Sequence, residues 1–179
     1  MDENDPVDAI ALAWLRERPG TPVDGIGVVT RIWHLAKAFG DDRRRVLAVE
    51  DTDAATLDLL SVLRRSGSPY QLTTRELRDR TMLTAGAISQ RVARAEGEGL
   101  VTRAPLDDGS RAVVVSLTAA GHAMIERLVD HVLGREYDLL SALTAEQQAD
   151  LTELLRILHQ DLMTRLGTHK VTQVGSDDA

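Results

Sequence analysis

The sequence predicts a mainly α-helical chain with one small β-hairpin, and three observations carry that prediction. Apolar residues recur at three- and four-residue spacing over most of the 179 residues. Two stretches past the middle, 100–104 and 112–117, switch to the alternation of strands. Between them stands Asp108-Gly109, a strong hairpin signal because glycine tolerates positive φ.

The elements follow in order. Pro6 to Arg18 reads as a short amphipathic helix with Ile10, Leu12, Ala13 and Trp14 on its apolar side, ended by Pro19-Gly20. A second helix is predicted from about Val23 to Arg44, with Ile26, Val29, Ile32, Trp33 and Ala36 at helical spacing. Asp53 caps a third, which turns Leu57, Leu60, Val62 and Leu63 inward and ends before Gly67. Thr73 precedes Glu76 by three residues, a capping-box pattern, so a short helix spans about 74–80. Leu83-Thr84 is a turn, and Thr84 caps a helix from Ala85 to about Glu98 that Gly99 closes. Two short helices joined by a tight turn form a helix-turn-helix, and the hairpin that follows is its wing. Thr118 starts a long helix to about Ser141. Thr144 and Gln147 form a second capping-box pattern before a helix carrying Leu151, Leu154, Leu155, Leu158 and Leu162.

These elements divide the chain into an added N-terminal helix (1–22), a dimerisation helix and linker (23–52) and a winged helix-turn-helix region (53–118). C-terminal dimerisation helices (119–166) and a polar tail read as disordered (167–179) complete it.

Composition limits the chemistry. There is no cysteine, which excludes disulfides, thiolate zinc sites and cysteine nucleophiles. No apolar run approaches the roughly 20 residues of a membrane span, and the acidic start is wrong for a signal peptide. A cytoplasmic protein without a membrane partner is expected. No P-loop, GxGxxG, nucleophile elbow or HExxH occurs, and no histidine pair has metal spacing beside a carboxylate. A non-enzyme without cofactor or metal is therefore expected.

The net charge of −7 argues against coating nucleic acid nonspecifically, but the charge is uneven. Residues 71–115 hold seven arginines and six acids, so the negative excess lies on the flanks. A recognition helix enters the major groove with its first residues at the base edges. Thr84, Ser89, Gln90 and Arg94 are its candidate contacts. Thr73 and Arg75 suit phosphates, and Ser110 and Arg111 in the wing suit the backbone or minor groove. The terminal helices hold more apolar surface than so small a domain covers. A twofold homodimer buries that surface and spaces two recognition helices about one DNA turn apart, on a palindromic double-stranded operator.

The stretch Met82 to Val92, then Glu96 to Arg103, then Asp107 to Arg111 and Leu117 to Gly121, resembles the core of the multiple-antibiotic-resistance regulator family, MarR. In layout the resemblance covers about 24–163. It implies a dimeric repressor relieved by small phenolic or other ligands. The added helix with Trp14 resembles the family's urate-responsive branch, which implies a ligand site of Trp14, Asp58, Arg91 and Arg103. A planar anionic purine wants an aromatic wall and a guanidinium, and displacing an Asp–Arg pair would move the recognition helix. Arg78-Asp79-Arg80-Thr81 and Ala95 depart from the branch's wording, which leaves open a phenolic compound or antibiotic as effector. A ligand-independent DNA-binding regulator is the other alternative. His131, mid-way along the long helix, is a candidate pH sensor, and His34 beside Trp33 a candidate ligand contact.

Overall fold

Seven helices and a three-stranded sheet account for the residues that the computed structural model describes, namely 2, 5–106 and 112–166. The wing turn with Ser110 and Arg111, and the tail at 167–179, lie outside the described residues. The chain forms two units, Met1–Val46 and Leu47–Ala179.

In the first unit, α1 (Pro6–Glu17) starts at Asp5. The Asp5 carboxylate accepts from the amides of Val7 (2.8 Å) and Asp8 (3.1 Å), and Pro6 supplies a preset φ where no N–H is needed. Arg31 on α2 (Ile26–Val49) bonds Asp5 at 2.8 Å and Asp8 at 3.1 Å. Val7, Ala11 and Val23 are buried, whereas Trp33 is 72% exposed. Helix α2 runs five residues beyond the expected end at Arg44. The charged residues near its end form pairs one helical turn apart, Lys37–Asp41 (3.0 Å) and Arg45–Asp42 (3.9 Å).

In the second unit, α3 (Ala54–Arg65) begins at the predicted cap, Asp53, whose carboxylate accepts from the Thr56 amide at 2.8 Å. Every residue from Thr56 to Leu63 is buried, so α3 is the central helix of this unit. Each fully buried Leu contributes roughly 1.5–3 kcal/mol of hydrophobic stabilisation. The short strand β1 (Gln71–Thr73), which the sequence pattern did not reveal, follows. Helix α4 (Thr74–Thr81) carries the predicted capping box. The Thr73 hydroxyl accepts from the Glu76 amide (3.2 Å), and the Thr73 amide donates to the Glu76 carboxylate (2.8 Å).

Helix α5 (Ala85–Gly97) starts with the Thr84 hydroxyl accepting from the Ala87 amide at 3.2 Å. It ends in a Schellman motif. Leu100 N–H donates to Ala95 O (2.8 Å), Gly99 N–H donates to Glu96 O (2.9 Å), and Gly99 takes φ +72°. Strands β2 (Val101–Pro105) and β3 (Val113–Leu117) pair antiparallel, with Arg103 opposite Val115. Strand β1 joins the far edge of β3, giving the order β1-β3-β2.

Helix α6 (Ala119–Leu139) is capped by Thr118, whose hydroxyl accepts from the Gly121 amide (3.0 Å) and donates to Gly99 O (2.7 Å). Gly121 lies so close to the start of β2 that a Cβ there would sit 2.0 Å from Leu100 O. Helix α7 (Ala145–Leu166) begins with the second predicted capping box, Thr144 N–H to Gln147 Oε1 at 2.9 Å and Gln147 N–H to Thr144 Oγ1 at 3.2 Å. It buries none of its residues in the described chain. Among the described residues, no helix is long and apolar enough to cross a membrane.

Candidate functional site

Helices α4 and α5 meet through a turn in which Met82 takes a left-handed φ of 63°. Leu77 and Thr81 face inward from α4, and Ile88, Val92 and Ala95 from α5. That spacing leaves Ala85, Gly86, Ser89, Gln90, Ala93, Arg94 and Gly97 exposed on α5.

Two arginines on the flank of α5 are tied to α3. Arg91 donates to Asp58 at 3.1 Å. The Asp58 side chain is only 3% exposed, while that of Arg91 is 29% exposed. Burial raises the Asp58 pKa, and the Arg91 charge and hydrogen bond offset this only in part. Burial therefore works against the charged form of this carboxyl. One turn further on, Arg94 bonds Asp53 (2.5 Å) and Glu98 (2.9 Å). Burial pushes the Asp53 pKa up, but bonds from Thr56 and Arg94 outweigh it and hold the carboxyl below its ordinary value. Asp53 thus caps α3 with one oxygen and holds α5 with the other.

Arg103 on β2 bonds neither Asp58 nor Asp53. Its Nε donates to Glu96 at 2.8 Å, with a second, shorter contact from Nη2, and this bond holds Glu96 below its ordinary pKa. Arg103 also lines a cleft of about 300 Å³ between α4, α5 and the sheet, together with Thr74, Arg75, Arg78 and Ser89.

The expected site residues thus fall into distinct groups. Asp58 and Arg91 come together, and Arg103 takes a separate acidic partner. Trp14 belongs to the first unit, where it is half exposed. The hydroxyls of Thr73 and Thr84 serve as helix caps. Arg75 is exposed, with its Nε 4.0 Å from the Asp79 carboxylate. Ser89 and Gln90 are exposed. His34 is exposed on α2, and the His131 Nδ1 lies 2.5 Å from Glu50 Oε1. Glu50 also accepts from Arg127 at 2.8 Å, and that bond leads the causes that lower its pKa. Among the described residues, no group of three or more His, Asp or Glu is placed to hold a metal ion.

Sequence reasoning missed Asp53 and Glu96 as arginine partners and Thr74 and Arg78 as cleft residues. Glu96 had a readable signal, because Gly99 reverses the chain and returns β2 alongside the last turn of α5. Asp53 was legible as a cap, but its second role depends on a residue 41 positions away.

Residues 51–112 match the family model described as MarR family. The HTH-type transcriptional regulator PecS of Dickeya dadantii (strain 3937) is 27% identical over 157 residues, which cover 88% of this chain and 95% of PecS. Wild-type apo MarR from E. coli is 27% identical with a TM-score of 0.59, covering 73% of this chain and 95% of MarR. A mutant E. coli MarR complexed with operator DNA is 25% identical with a TM-score of 0.60, covering 75% of this chain and 97% of that one. An organohalide-sensing regulator in its 2,4-dichlorophenol-bound form shares the fold, with 19% identity, a TM-score of 0.64 and coverage of 82% and 83%. In its two-helix unit and three-stranded sheet, and over residues 51–112 of its sequence, the chain is thus similar to the MarR family of winged helix-turn-helix transcriptional regulators.

Proposed function

We propose that the protein is a homodimeric repressor that binds a palindromic operator and is released by a small planar anion, with urate or a related purine favoured. The observation that carries the reading is the Asp58–Arg91 pair, which ties the recognition helix to α3 through a carboxylate burdened by its own burial. A ligand anion that takes Arg91 relieves Asp58 of its charge, because a carboxyl with a raised pKa accepts a proton readily. The same event loosens α5, so ligand and operator compete through one guanidinium. Arg103, and Trp14 from the added helix, complete the proposed ligand set. Thr73 and Arg75 at the start of α4 face the phosphates in this reading, and α5 enters the major groove.

Dimerisation is supported by the apolar side chains that α7 leaves exposed, among them Leu151, Leu154, Leu155 and Ile157. The similarity to a mutant E. coli MarR that was solved in complex with operator DNA supports the choice of partner. The test is a band shift on a palindrome and on its isolated half-site, repeated with urate. We expect the palindrome to bind at least about tenfold more tightly, as paired half-sites require, and urate to release it. Equal affinity for the half-site sinks the dimer. An Arg91→Ala or Trp14→Phe variant that binds DNA and responds to urate like the parent removes the four-residue site. A response to phenolic acids but not to purines reassigns the effector.

A further inference from the structure

The cations of the recognition helix are already paired with carboxylates, although Arg94 is exposed. Arg91 is bonded to Asp58, and Arg94 to both Asp53 and Glu98. The outward face is otherwise made of small residues, Ala85, Gly86, Ala93 and Gly97, around Ser89 and Gln90. Ser89 is short and lines the cleft beside Arg103. Gln90 is exposed and makes no hydrogen bond among the described residues, so its amide is ready to pair elsewhere. Among the described residues it is the long polar side chain of α5 that has no hydrogen-bond partner.

From this arrangement we infer that Gln90 is the principal specificity-determining residue, reading one adenine in each operator half-site, while Arg91 and Arg94 position the helix rather than read bases. The inference rests on the DNA-binding reading above and deepens it. A glutamine amide carries a donor and an acceptor side by side, which matches N7 and the N6 amino group of adenine in the major groove. Small neighbours let the helix backbone approach the bases closely, so that a four-bond side chain reaches the edge without stretching. Arg94, bonded through both Nε and Nη1, has spent most of the fork that would pair with guanine, and Arg91 is turned toward Asp58 on α3. The arrangement predicts a motif with one dominant A·T pair per half-site and no dominant guanine under α5.

The experiment is enrichment of a random double-stranded DNA library by the full-length protein, followed by sequencing, for the wild type, Gln90→Ala and Gln90→Glu. The wild type should enrich a palindrome with one strongly preferred adenine in each half. Gln90→Ala should lose about ten- to a hundredfold of the preference at that position and leave the others unchanged. Gln90→Glu should shift the preference there toward cytosine, whose amino group a carboxylate accepts. Because Gln90 is exposed, both variants should melt like the parent, and circular dichroism checks this. A wild type that enriches no sequence overturns the DNA-binding reading and this inference with it. An enriched motif that Gln90→Ala reproduces at every position overturns this inference alone.

Discussion

Helices α3 and α7 draw on the same residue, leucine, and use it differently. In α3, Leu57, Leu59, Leu60 and Leu63 are all buried, and so are the Thr, Asp, Ser and Val among them. In α7, six leucines lie on a helix nearly twice as long, and none is buried in the described chain. Intrinsic helix propensity is similar for the two, so it cannot be the cause. The difference lies in what surrounds them. Helix α3 sits among α4, α5, α6 and β3, whereas α7 leaves its leucines to whatever covers it from outside. A leucine stripe thus reports the need for burial, and the rest of the fold decides whether the same chain meets it.

That contrast can be broken at several points. The largest effect belongs to Leu60→Ala. A fully buried leucine in the central helix should cost about 2–5 kcal/mol, read from the midpoint of denaturant unfolding. A loss below about 1 kcal/mol means that α3 is less central than its burial indicates. Next comes Leu154→Asp in α7. We expect a halved mass by light scattering and a melting temperature that no longer rises with protein concentration, while the helical signal of the other elements survives. An unchanged mass places the dimer contact elsewhere.

The two capping boxes give a matched pair of smaller effects. Thr73→Ala should lower global stability by about 1 kcal/mol, because α4 is part of the cooperative core. Thr144→Ala should fray only the start of α7, visible as faster amide exchange there with little change in the unfolding midpoint. The smallest change in stability is expected for Asp58→Asn. Burial holds the Asp58 pKa above its ordinary 3.8, so the folded state binds the proton more tightly than the unfolded one. The contribution of this group to stability is present below 3.8 and is lost as pH rises through the folded value. Asp58→Asn, which resembles the protonated carboxyl, should therefore match the parent at low pH and flatten the decline in melting temperature over that window. A steeper decline contradicts the dominance of burial at this carboxyl.

Legibility in the sequence followed the range of the interactions. Both capping boxes, the Asp53 cap and the Gly99 stop were readable because each closes within five residues. Strand β1 was not, since three residues show no period and become a strand only against β3, more than 40 positions on. The end of α2 was placed early because the apolar spacing that marked the helix stops at Ala36, while pairs one turn apart run on beyond it. In the candidate site, Asp58 and Arg91 could be named together only from family resemblance. Nothing local links residues 33 positions apart. The second tether, Asp53–Arg94, had no local signal and no resemblance to suggest it.

The close approach at Gly121 has a mechanical consequence. There the end of α5, the start of β2 and the start of α6 share one point, fastened by the Thr118 hydroxyl and by a space that admits no side chain. Helix α5 is therefore clamped at its rear and held at its flank by two ion pairs. A rod so mounted swings about a fulcrum more readily than it slides. Thirteen residues make a lever about 20 Å long, so a swing of about 10° carries its front end about 3 Å, roughly the reach of one hydrogen bond. A single glycine thereby sets which end of α5 stays fixed and which end swings.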